Sequence, residues 1–407
     1  MTLPSTGPAF WAMGLWNNLS FVIMIACAKS LSEGGTGLVF VASVLPGWLL
    51  KLSAPYWFDH VSYRSRILAA TILMMVAYCS VALFTVLPPH LPGQLLGGAI
   101  VSVQCSLGEA TLLALAGTVG PEALTAMASG TGLAGPAGFA YTVILGRWWS
   151  LQAVVASASV WAVAYGLVYR LYLWDLSPHA EPARFTELAD LSRDEVETEE
   201  TDVASSEDSC LQPHKTVRPP LSELSVADRA HLVAGLWPYM VPLVTVYAAE
   251  YACQAGAWTA IGFPVESVEA RSAFYTQANW LYQAGVFVSR SSGTVLEVNM
   301  TWLWILPGIQ VVNLVFFSIV AGVGGWFYRE GLFWAMAFFT GLLGGAVYVH
   351  GYKRIVRDVY YKEFSLAAVS VAEGSGILVA DVLGLFLQAC LYDANDIPGA
   401  LAKCPWH

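Results

Sequence analysis

The sequence predicts an all-α polytopic membrane protein with about eleven transmembrane helices. Of its 407 residues, 57% are hydrophobic and only 12% are charged, and the mean hydropathy is +0.58. Soluble domains carry about 25% charged residues. Apolar runs of about twenty residues recur along the chain, which is the length that crosses about 30 Å of hydrocarbon. Composition and run length therefore both favour a chain that is embedded in a bilayer.

One long hydrophilic segment divides the chain. Residues 175–230 hold fourteen of the 29 acidic residues, five prolines and few aromatic residues. Because such a segment has little apolar surface to bury, it is predicted to be a disordered linker. It separates an N-terminal transmembrane half, residues 1–174, from a C-terminal half, residues 231–393. A short tail, residues 394–407, follows.

The spans are predicted as six before the linker and five after it. Clusters of Pro and Gly set their boundaries. The predicted spans are 8–30, 36–57, 66–87, 93–118, 122–146, 149–173, 231–256, 272–290, 301–325, 331–350 and 364–391.

The Lys and Arg residues predict which side of the membrane each loop faces. Thirteen of them fall in loops on the side of the N-terminus and of the linker, five fall on the opposite side, and Lys51 lies within a span. Positively charged loops usually face the cytosol. The N-terminus and the linker are therefore predicted to be cytosolic, and the C-terminus is predicted to be lumenal.

Several classes of function lack their signature in this sequence. There is no P-loop, no GxSxG or HExxH motif, and no paired Cys or His with metal spacing. The seven cysteines are interpreted as isolated thiols. The net charge of −10 comes mostly from the linker, so it does not indicate nucleic-acid binding. We therefore expect a protein that is not an enzyme and has no cofactor and no metal site.

Ionisable residues within the predicted spans are few, and they are the first candidates for function because a charge at bilayer depth is costly. They are Lys51, Glu109, Glu250, Arg290, Glu373 and Asp381. Glu250 could carry a proton or hold a cationic group, or it could be a structural partner of Lys51 or Arg290. Arg290, expected near the cytosolic face, could bind a phosphate or anchor a helix end.

Uncharged polar residues extend this set of candidates. Asn17 and Asn18 form a polar pair in the first span. Tyr282 and Gln283, with Gln277 and Asn279, form a polar stripe that is more typical of a cavity wall than of a lipid-facing surface. The seventh span adds Tyr251 and Gln254, and its prolines Pro238 and Pro242 predict a broken helix.

Two halves joined by a long cytosolic loop are the layout of the major facilitator transporters, here in a 6+5 arrangement. Residues 59–66 resemble the acidic-then-basic loop between spans 2 and 3 of that superfamily. Residues 132–138 (GLAGPAG) resemble the glycine-proline motif of its antiporters, or they serve only close helix packing. In this layout the substrate site lies near the bilayer midplane between the halves.

The sequence also resembles the battenin family, the lysosomal membrane proteins linked to juvenile Batten disease. The similarity covers nearly the whole chain except the linker. The matching stretches are GLWNNLSF at 14–21, LP at 45–46 through KLSAP at 51–55, LGEAT at 107–111, SGTG at 129–132, LWPYMVPLV at 236–244, AEY at 249–251, LYQAGVFVSRSS at 281–292 and GLLGGAVYV at 341–349.

This resemblance implies a lysosomal, vacuolar or related endomembrane location, a facilitator-like fold and a role in clearing glycerophosphodiesters. It also implies links to basic amino-acid levels and to lumenal pH. The candidates that match the family are Asn17, Asn18, Lys51, Glu109, Glu250, Tyr282, Gln283 and Arg290, and Glu373 stands where the family has an acidic residue. Asp381 replaces a small residue, and residues 350–353 depart from the family pattern.

The leading hypothesis is a secondary transporter that exports glycerophosphodiesters, with possible proton coupling. A carboxylate would hold the quaternary amine, Arg290 or Lys51 would hold the phosphodiester, and Tyr247, Tyr251 or Tyr282 would add cation–π contact. Two alternatives stay open. One is a basic amino-acid transporter or regulator of lumenal pH, and the other is a non-transporting scaffold that meets trafficking proteins through the linker. The expected partners are a small-molecule substrate, protons and membrane lipids.

Overall fold

The computed structural model contains fourteen α-helices and no strand among the residues it describes. The described residues are 6–31, 36–86, 91–176, 219–323 and 330–405. The predicted all-α polytopic class is thereby confirmed. The predicted disorder of the linker concerns mainly residues 177–218, which lie outside the described residues. The end of that predicted segment is ordered, because helical structure begins again at Leu221.

The N-terminal half forms a bundle of seven helices. They are α1 (Thr6–Leu31), α2 (Thr36–Ser53), α3 (Tyr63–Val86), α4 (Leu91–Val119), α5 (Pro121–Leu145), α6 (Leu151–Ser157) and α7 (Ser159–Val168), the last of which continues as a π-helical turn (Tyr169–Leu173). The predicted second span ended at residue 57, but α2 ends earlier because Pro55 disfavours helical geometry at the preceding residue.

The C-terminal half contains the other seven helices. They are α8 (Val226–Gly235), α9 (Trp237–Ala255), α10 (Val268–Ser291), α11 (Met300–Val323), α12 (Glu330–Asp358), α13 (Lys362–Val369) and α14 (Val371–Ala394). The predicted tenth span ended at residue 350, whereas α12 continues to Asp358. Its basic residues extend the helix beyond the apolar run, and Arg354 pairs with Asp358 one turn later at 3.0 Å.

Six helical segments of the described chain are long and apolar enough to cross a membrane. A seventh is α8 together with α9, which meet at an angle of 61°. A broken helix was predicted here from Pro238 and Pro242, and the bend lies within the predicted span, just before the first of these prolines. Pro238 has no N–H for the carbonyl of Ala234, and its ring clashes with that carbonyl, so the helix breaks at Leu236 and continues through Pro242. The number of eleven spans stays a prediction.

Glycine allows α1 and α5 to pack at backbone distance. A Cβ atom on Gly130 of α5 would lie only 1.9 Å from the carbonyl oxygen of Trp11. Any larger residue at this position would have to push the two helices apart. Gly130 precedes the stretch 132–138, within which a Cβ atom on Gly138 would lie 2.6 Å from the Cγ1 atom of Val22 on α1. Close helix packing, which is one of the two interpretations that the sequence left open, is therefore seen within the stretch as well.

The two halves contact each other at one end of the bundle, which we call the linker end (residues 54–62, 219–225 and 359–361). Arg229 of α8 donates to both carboxylate oxygens of Asp59, at 3.1 and 2.6 Å, and also to the carbonyl of Pro55. Tyr63 of α3 donates to Glu363 of α13. Burial raises the pKa of Asp59, but the hydrogen bonds and charge of Arg229 outweigh burial and hold that pKa below its usual value.

The tail that follows α14 is tied back to that helix. Cys404 forms a disulfide with Cys390, and the chain reverses through Asp396 and Gly399, whose φ angles are 54° and 100°. The prediction of isolated thiols is therefore wrong for these two cysteines. The pair has no recognisable sequence spacing, and only the turn after α14 brings the two residues together. Among the described side chains, Cys79, Cys105 and Cys253 are free thiols.

Candidate functional site between the two halves

A buried ion pair lies at the centre of the site. The Nζ atom of Lys51 on α2 lies 2.6 Å from the Oε2 atom of Glu109 on α4, and both side chains are 7% exposed. The other carboxylate oxygen of Glu109 accepts a hydrogen bond of 3.0 Å from Tyr348 on α12. Glu109 therefore has partners for both oxygens, and one of them comes from the opposite half.

Arg290 reaches from α10 across the interface between the halves. Its guanidinium donates to Thr131 of α5 at 2.7 Å and to the hydroxyl of Tyr247 on α9 at 2.8 Å. It also lies over the ring of Tyr348, 3.8 Å from the centroid. Arg290 was expected near the cytosolic face. The structure places it in the last turn of α10, in contact with α5, α9 and α12, and its depth in the membrane stays a prediction.

Arg290 is not neutralised by a carboxylate. None of the ion pairs among the described residues includes Arg290. Its Nε atom is buried and has no hydrogen-bond partner. A buried guanidinium without an anion is costly, since a charge in a low-dielectric interior is normally paired. The arrangement is suited to an anionic ligand that accepts from a planar donor group.

Glu250 is the carboxylate with an unused oxygen. Its Oε1 atom accepts from Tyr282 of α10 at 3.1 Å, whereas its buried Oε2 atom has no partner among the described residues. The side chain is 2% exposed and lies against the backbone of Gly344, where a Cβ atom would be 1.8 Å from Oε2. The structure does not bring Glu250 into an ion pair with Lys51 or Arg290.

The third buried carboxylate is Glu373 near the start of α14. It accepts a hydrogen bond from Tyr352 of α12 and is 6% exposed. Asp381, which shares this helix, is half-buried, and its Oδ2 atom has no partner. Glu373 thus belongs to the interior of the C-terminal half, one helical turn of α12 away from the tyrosine that contacts Glu109 and Arg290.

Aromatic and amide side chains surround these charges. The rings of Tyr247 and Tyr251 are stacked, 6.0 Å apart at 13°. Gln254 donates to the backbone carbonyl of Glu250 at 3.4 Å. Gln283 packs across the interface against Gly135 of α5. Of the stripe predicted on α10, Tyr282 and Asn279 are buried and Gln283 is partly buried, but Gln277 is exposed.

Asn17 and Asn18 belong to a different network. Asn17 is fully buried, donates to the carbonyl of Cys105 at 3.0 Å and accepts from Gln104 at 3.2 Å and from Tyr165 at 3.4 Å. Asn18 accepts from Asn17 at 3.3 Å. All these residues lie on α1, α4 and α7. The pair therefore joins helices within the N-terminal half and does not contact the buried carboxylates.

Three residues of the site were not among the candidates identified from the sequence. Tyr348 joins Glu109 to Arg290, Tyr352 holds Glu373, and Thr131 holds Arg290. Tyrosine is common at membrane interfaces, and threonine is common in membrane helices, so neither residue type is distinctive. A signal was present, because Tyr348 and Tyr352 are one turn apart and share a helix face with the glycines of 341–345.

The site as a whole brings two cations and two carboxylates to the interface between the halves, with the third carboxylate, Glu373, next to it in the C-terminal half. Lys51 is neutralised by Glu109, whereas Arg290 is open to an anion and Glu250 is open to a proton or a cation. No group of three or more His, Cys, Asp or Glu side chains within the described chain could hold a metal ion. The chemistry on offer is recognition of a charged small molecule at a point where two helical bundles meet.

Comparison with solved structures identifies the fold. The chain superposes on the human organic anion transporter MFSD10 (TETRAN) with a TM-score of 0.57 and 14% identity, covering 97% of this chain and 98% of that one. It superposes on the E. coli fucose:proton symporter FucP with a TM-score of 0.54 and 11% identity, covering 96% and 97%. The fold is therefore that of the major facilitator superfamily, as the sequence predicted.

Comparison with sequences identifies the family. Protein BTN1 of Eremothecium gossypii is 32% identical over 406 residues, which cover 94% of each chain. Protein btn-1 of Neurospora crassa is 33% identical over 414 residues, and Protein BTN1 of Saccharomyces cerevisiae is 29% identical over 405 residues. The family model described as CLN3 protein matches residues 8–394. The chain therefore belongs to the CLN3 (battenin) family, and its family and fold together support a membrane transporter.

Proposed function

We propose that the protein exports glycerophosphodiesters, such as glycerophosphocholine, across a lysosomal or vacuolar membrane and that protons are coupled to this export. The observation that carries the proposal is the Arg290 guanidinium, which is buried between the halves without a carboxylate partner. A phosphodiester offers two anionic oxygens, which a guanidinium can bind with two parallel hydrogen bonds.

The rest of the site suits the other end of such a substrate. A quaternary ammonium group has no N–H to donate, so it is held by carboxylates and by aromatic faces. Tyr247 connects the two ends of the site. Its hydroxyl accepts from Arg290, and its ring, which is stacked on that of Tyr251, offers an aromatic face. Glu250 lies on the same helix, one turn from Tyr247. A zwitterion with a phosphate and an amine would therefore find both charges matched.

Proton coupling is supported by the balance of charges. Among the described residues of the site, three carboxylates face the two cations Lys51 and Arg290, so neutrality of the site requires one proton when no substrate is bound. Glu250 is the carboxylate that has no cation partner and has a free oxygen. We therefore assign the coupled proton to Glu250. We assign a structural role to the ion pair of Lys51 and Glu109, which positions the N-terminal half against Tyr348 of the C-terminal half.

A transporter specific for basic amino acids is less consistent with this site. Such a substrate offers one carboxylate to Arg290, but it carries two cationic groups, whereas Glu250 supplies a single unpaired carboxylate oxygen. The discriminating variant is Arg290→Gln, which should spare transport of a substrate that is selected by its cationic side chain and should abolish transport of a phosphodiester.

Two observations support the proposed orientation, with the linker end in the cytosol and the tail in the lumen. Disulfides persist in oxidising compartments and are reduced in the cytosol, so the Cys390–Cys404 bond suits a lumenal tail. The helix ends that adjoin the linker end carry Arg64, Arg66, Arg354, Arg357 and Lys362, and basic residues are usually retained on the cytosolic side.

The test is efflux of labelled glycerophosphocholine from sealed vesicles that contain the purified protein, with and without a pH gradient. Wild type should release the label faster with a gradient. Glu250→Gln should abolish the effect of the gradient, and Arg290→Gln should abolish efflux altogether. Arg357→Gln is the matched control, because Arg357 is 66% exposed and distant from the site, and it should behave as wild type.

One result of this assay would contradict the proposal. Absence of efflux from folded wild-type protein under every gradient would exclude the phosphodiester substrate. In that case the scaffold hypothesis would gain weight, and deletion of residues 180–225 would be the next variant. A transporter should keep its flux after that deletion, whereas a scaffold that acts through the linker should lose its function.

A further inference from the structure

The C-terminal half contains several buried polar atoms that have no hydrogen-bond partner among the described residues. Gln310 on α11 is 0% exposed, and both its amide nitrogen and its amide oxygen lack a hydrogen bond. Asn313, one turn later, is 2% exposed, and its Oδ1 atom also lacks a partner. The Oε2 atom of Glu250 is in the same condition. Leaving an amide unpaired in an apolar interior costs about 2–7 kcal/mol per group.

The contacts of α12 with Asn313 and with Glu250 indicate that these atoms lie at similar levels of the bundle. Asn313 donates to Thr340 of α12 at 2.7 Å, and Gly344, against which Glu250 lies, is one turn from Thr340 on the same face of α12. The helices α11 and α12 are antiparallel neighbours. Moving from Asn313 back to Gln310 descends α11 by about 4.5 Å, and moving from Thr340 to Gly344 descends α12 by about 6 Å. Gln310 is therefore level with the carboxylate of Glu250.

The ring of Trp258 contacts two of the helices that carry these polar side chains or their partners. Trp258, fully buried in the turn after α9, contacts Phe317 of α11 with ring centroids 5.5 Å apart and Tyr282 of α10 with centroids 6.2 Å apart. Tyr282 donates to Glu250. Phe317 is one turn from Asn313 on the same face. The indole nitrogen of Trp258 is a buried donor that also has no partner.

We propose that these helices enclose a binding site for water, lined by Glu250, Gln310, Asn313 and Trp258, and that this water is the hydrogen-bond partner of Glu250 in both of its protonation states. The lining contains three free oxygen acceptors, on Glu250, Gln310 and Asn313. It also contains two free donors, on Gln310 and Trp258. Water donates and accepts, so it satisfies such a mixed lining, whereas a metal cation would be repelled by the two N–H groups. Buried waters typically make about three hydrogen bonds to otherwise unsatisfied groups.

The site gives Gln310 a positioning role. When Glu250 is neutral, its O–H donates to the water, and when Glu250 is ionised, the water donates to the carboxylate. Glu250 can therefore take up and release a proton without its Oε2 atom becoming unpaired. This role of the water rests on the proposed proton coupling. The presence of the water does not.

Gln310→Met tests the presence of water, because it removes the amide at nearly the same volume. If the site holds water, this variant leaves Glu250 and Asn313 with fewer hydrogen bonds, and the melting temperature should fall by about 2–4 °C. If the site is dry, the variant removes an unpaired polar group and should raise the melting temperature, which overturns the proposal. Ser318→Ala is the matched control on α11, because its hydroxyl donates only to the carbonyl of Leu314 on the same helix.

Hydroxyl-radical footprinting by X-ray pulses provides a second measurement, which needs no transport. Bound water generates radicals in place, so the buried ring of Trp258 should be oxidised in the wild type. Gln310→Met should lose this labelling, whereas Gln310→Asn, which keeps an amide, and Ser318→Ala should retain it. Met13 is fully buried in the N-terminal half and serves as the internal reference that stays unlabelled. Absence of labelling at Trp258 in the wild type overturns the proposal.

The role of the water is tested by the dependence of efflux on lumenal pH. Gln310→Met should change that dependence in the wild-type background and should have no further effect on it in the Glu250→Gln background. Labelling of Trp258 without any efflux would contradict the proposed function and support the water site. Efflux without labelling of Trp258 would support the proposed function and overturn the water site. Saturable protection of Trp258 by Na⁺, with choline as the comparison ion, would mean that a cation occupies the site and would overturn the assignment to water.

Discussion

The ion pair of Lys51 and Glu109 makes a quantitative prediction. At 2.6 Å the Coulomb attraction amounts to about 6 kcal/mol at an effective dielectric constant of about 20, before the cost of desolvation. Both side chains are 7% exposed, so removing one partner leaves a buried charge without compensation. Glu109→Gln and Lys51→Met should each lower the free energy of unfolding by about 3–5 kcal/mol.

The double variant separates this effect from lost packing. Lys51→Met combined with Glu109→Gln buries no charge, so its stability should return to within about 2 kcal/mol of wild type, and the two substitutions should be coupled by at least about 3 kcal/mol. The assay is equilibrium unfolding of the detergent-solubilised protein in a denaturant series. The exposed pair of Arg357 and Glu297, 3.5 Å apart, is the control cycle and should couple by less than about 0.5 kcal/mol. Additive effects at Lys51 and Glu109 would mean that the two side chains do not form a stabilising buried ion pair.

Three further predictions concern the frame around the site. Asp59→Asn should remove the acid sensitivity of the linker end, measured as the free energy of unfolding against pH. Because the pKa of Asp59 is lowered in the folded state, its ionised form stabilises the fold above about pH 4, and this stabilisation is lost as the pH falls through the pKa of the folded state. Cys404→Ser should cost about 3 kcal/mol, with a matching loss when the wild type is reduced, because it opens a loop of 14 residues to Cys390. Gly130→Ala should cost about 1–3 kcal/mol by forcing α1 from α5, whereas Gly308→Ala, with no atom within 4 Å of the added Cβ, should be neutral or stabilising by up to about 1 kcal/mol.

The sequence was sufficient for the fold class because the signals that define it are local. The apolar runs, the prolines and the hydrophilic segment each act over about twenty residues, and the helices lie where those signals placed them. Two boundaries differ from the prediction, and contacts between side chains explain both. Helix α12 extends beyond its apolar run, where Arg354 and Asp358 form an ion pair one turn apart, and the end of the predicted linker is ordered because Arg229 binds Asp59.

The charged residues of the candidate site could be predicted from the sequence, but the contacts between them could not. Charge at bilayer depth singled out Lys51, Glu109, Glu250, Arg290 and Glu373. The structure buries four of these side chains, and it partly buries Arg290, whose Nε atom is inaccessible. Which cation meets which carboxylate depends on the packing of helices that are distant in the sequence. The amides of Asn17 and Asn18 are equally polar, yet they bond within one half, since a polar residue in a membrane helix can serve packing as well as ligand binding.

Arg290 is proposed to bind the phosphodiester of the substrate between the two halves. Equilibrium binding to the purified protein tests it most directly, with glycerophosphocholine and choline as the two ligands. We predict that wild type binds glycerophosphocholine much more tightly than choline and that Arg290→Gln binds both equally weakly, a loss of about 2–5 kcal/mol that falls on the phosphodiester alone. Unchanged affinity of Arg290→Gln for glycerophosphocholine would contradict the account.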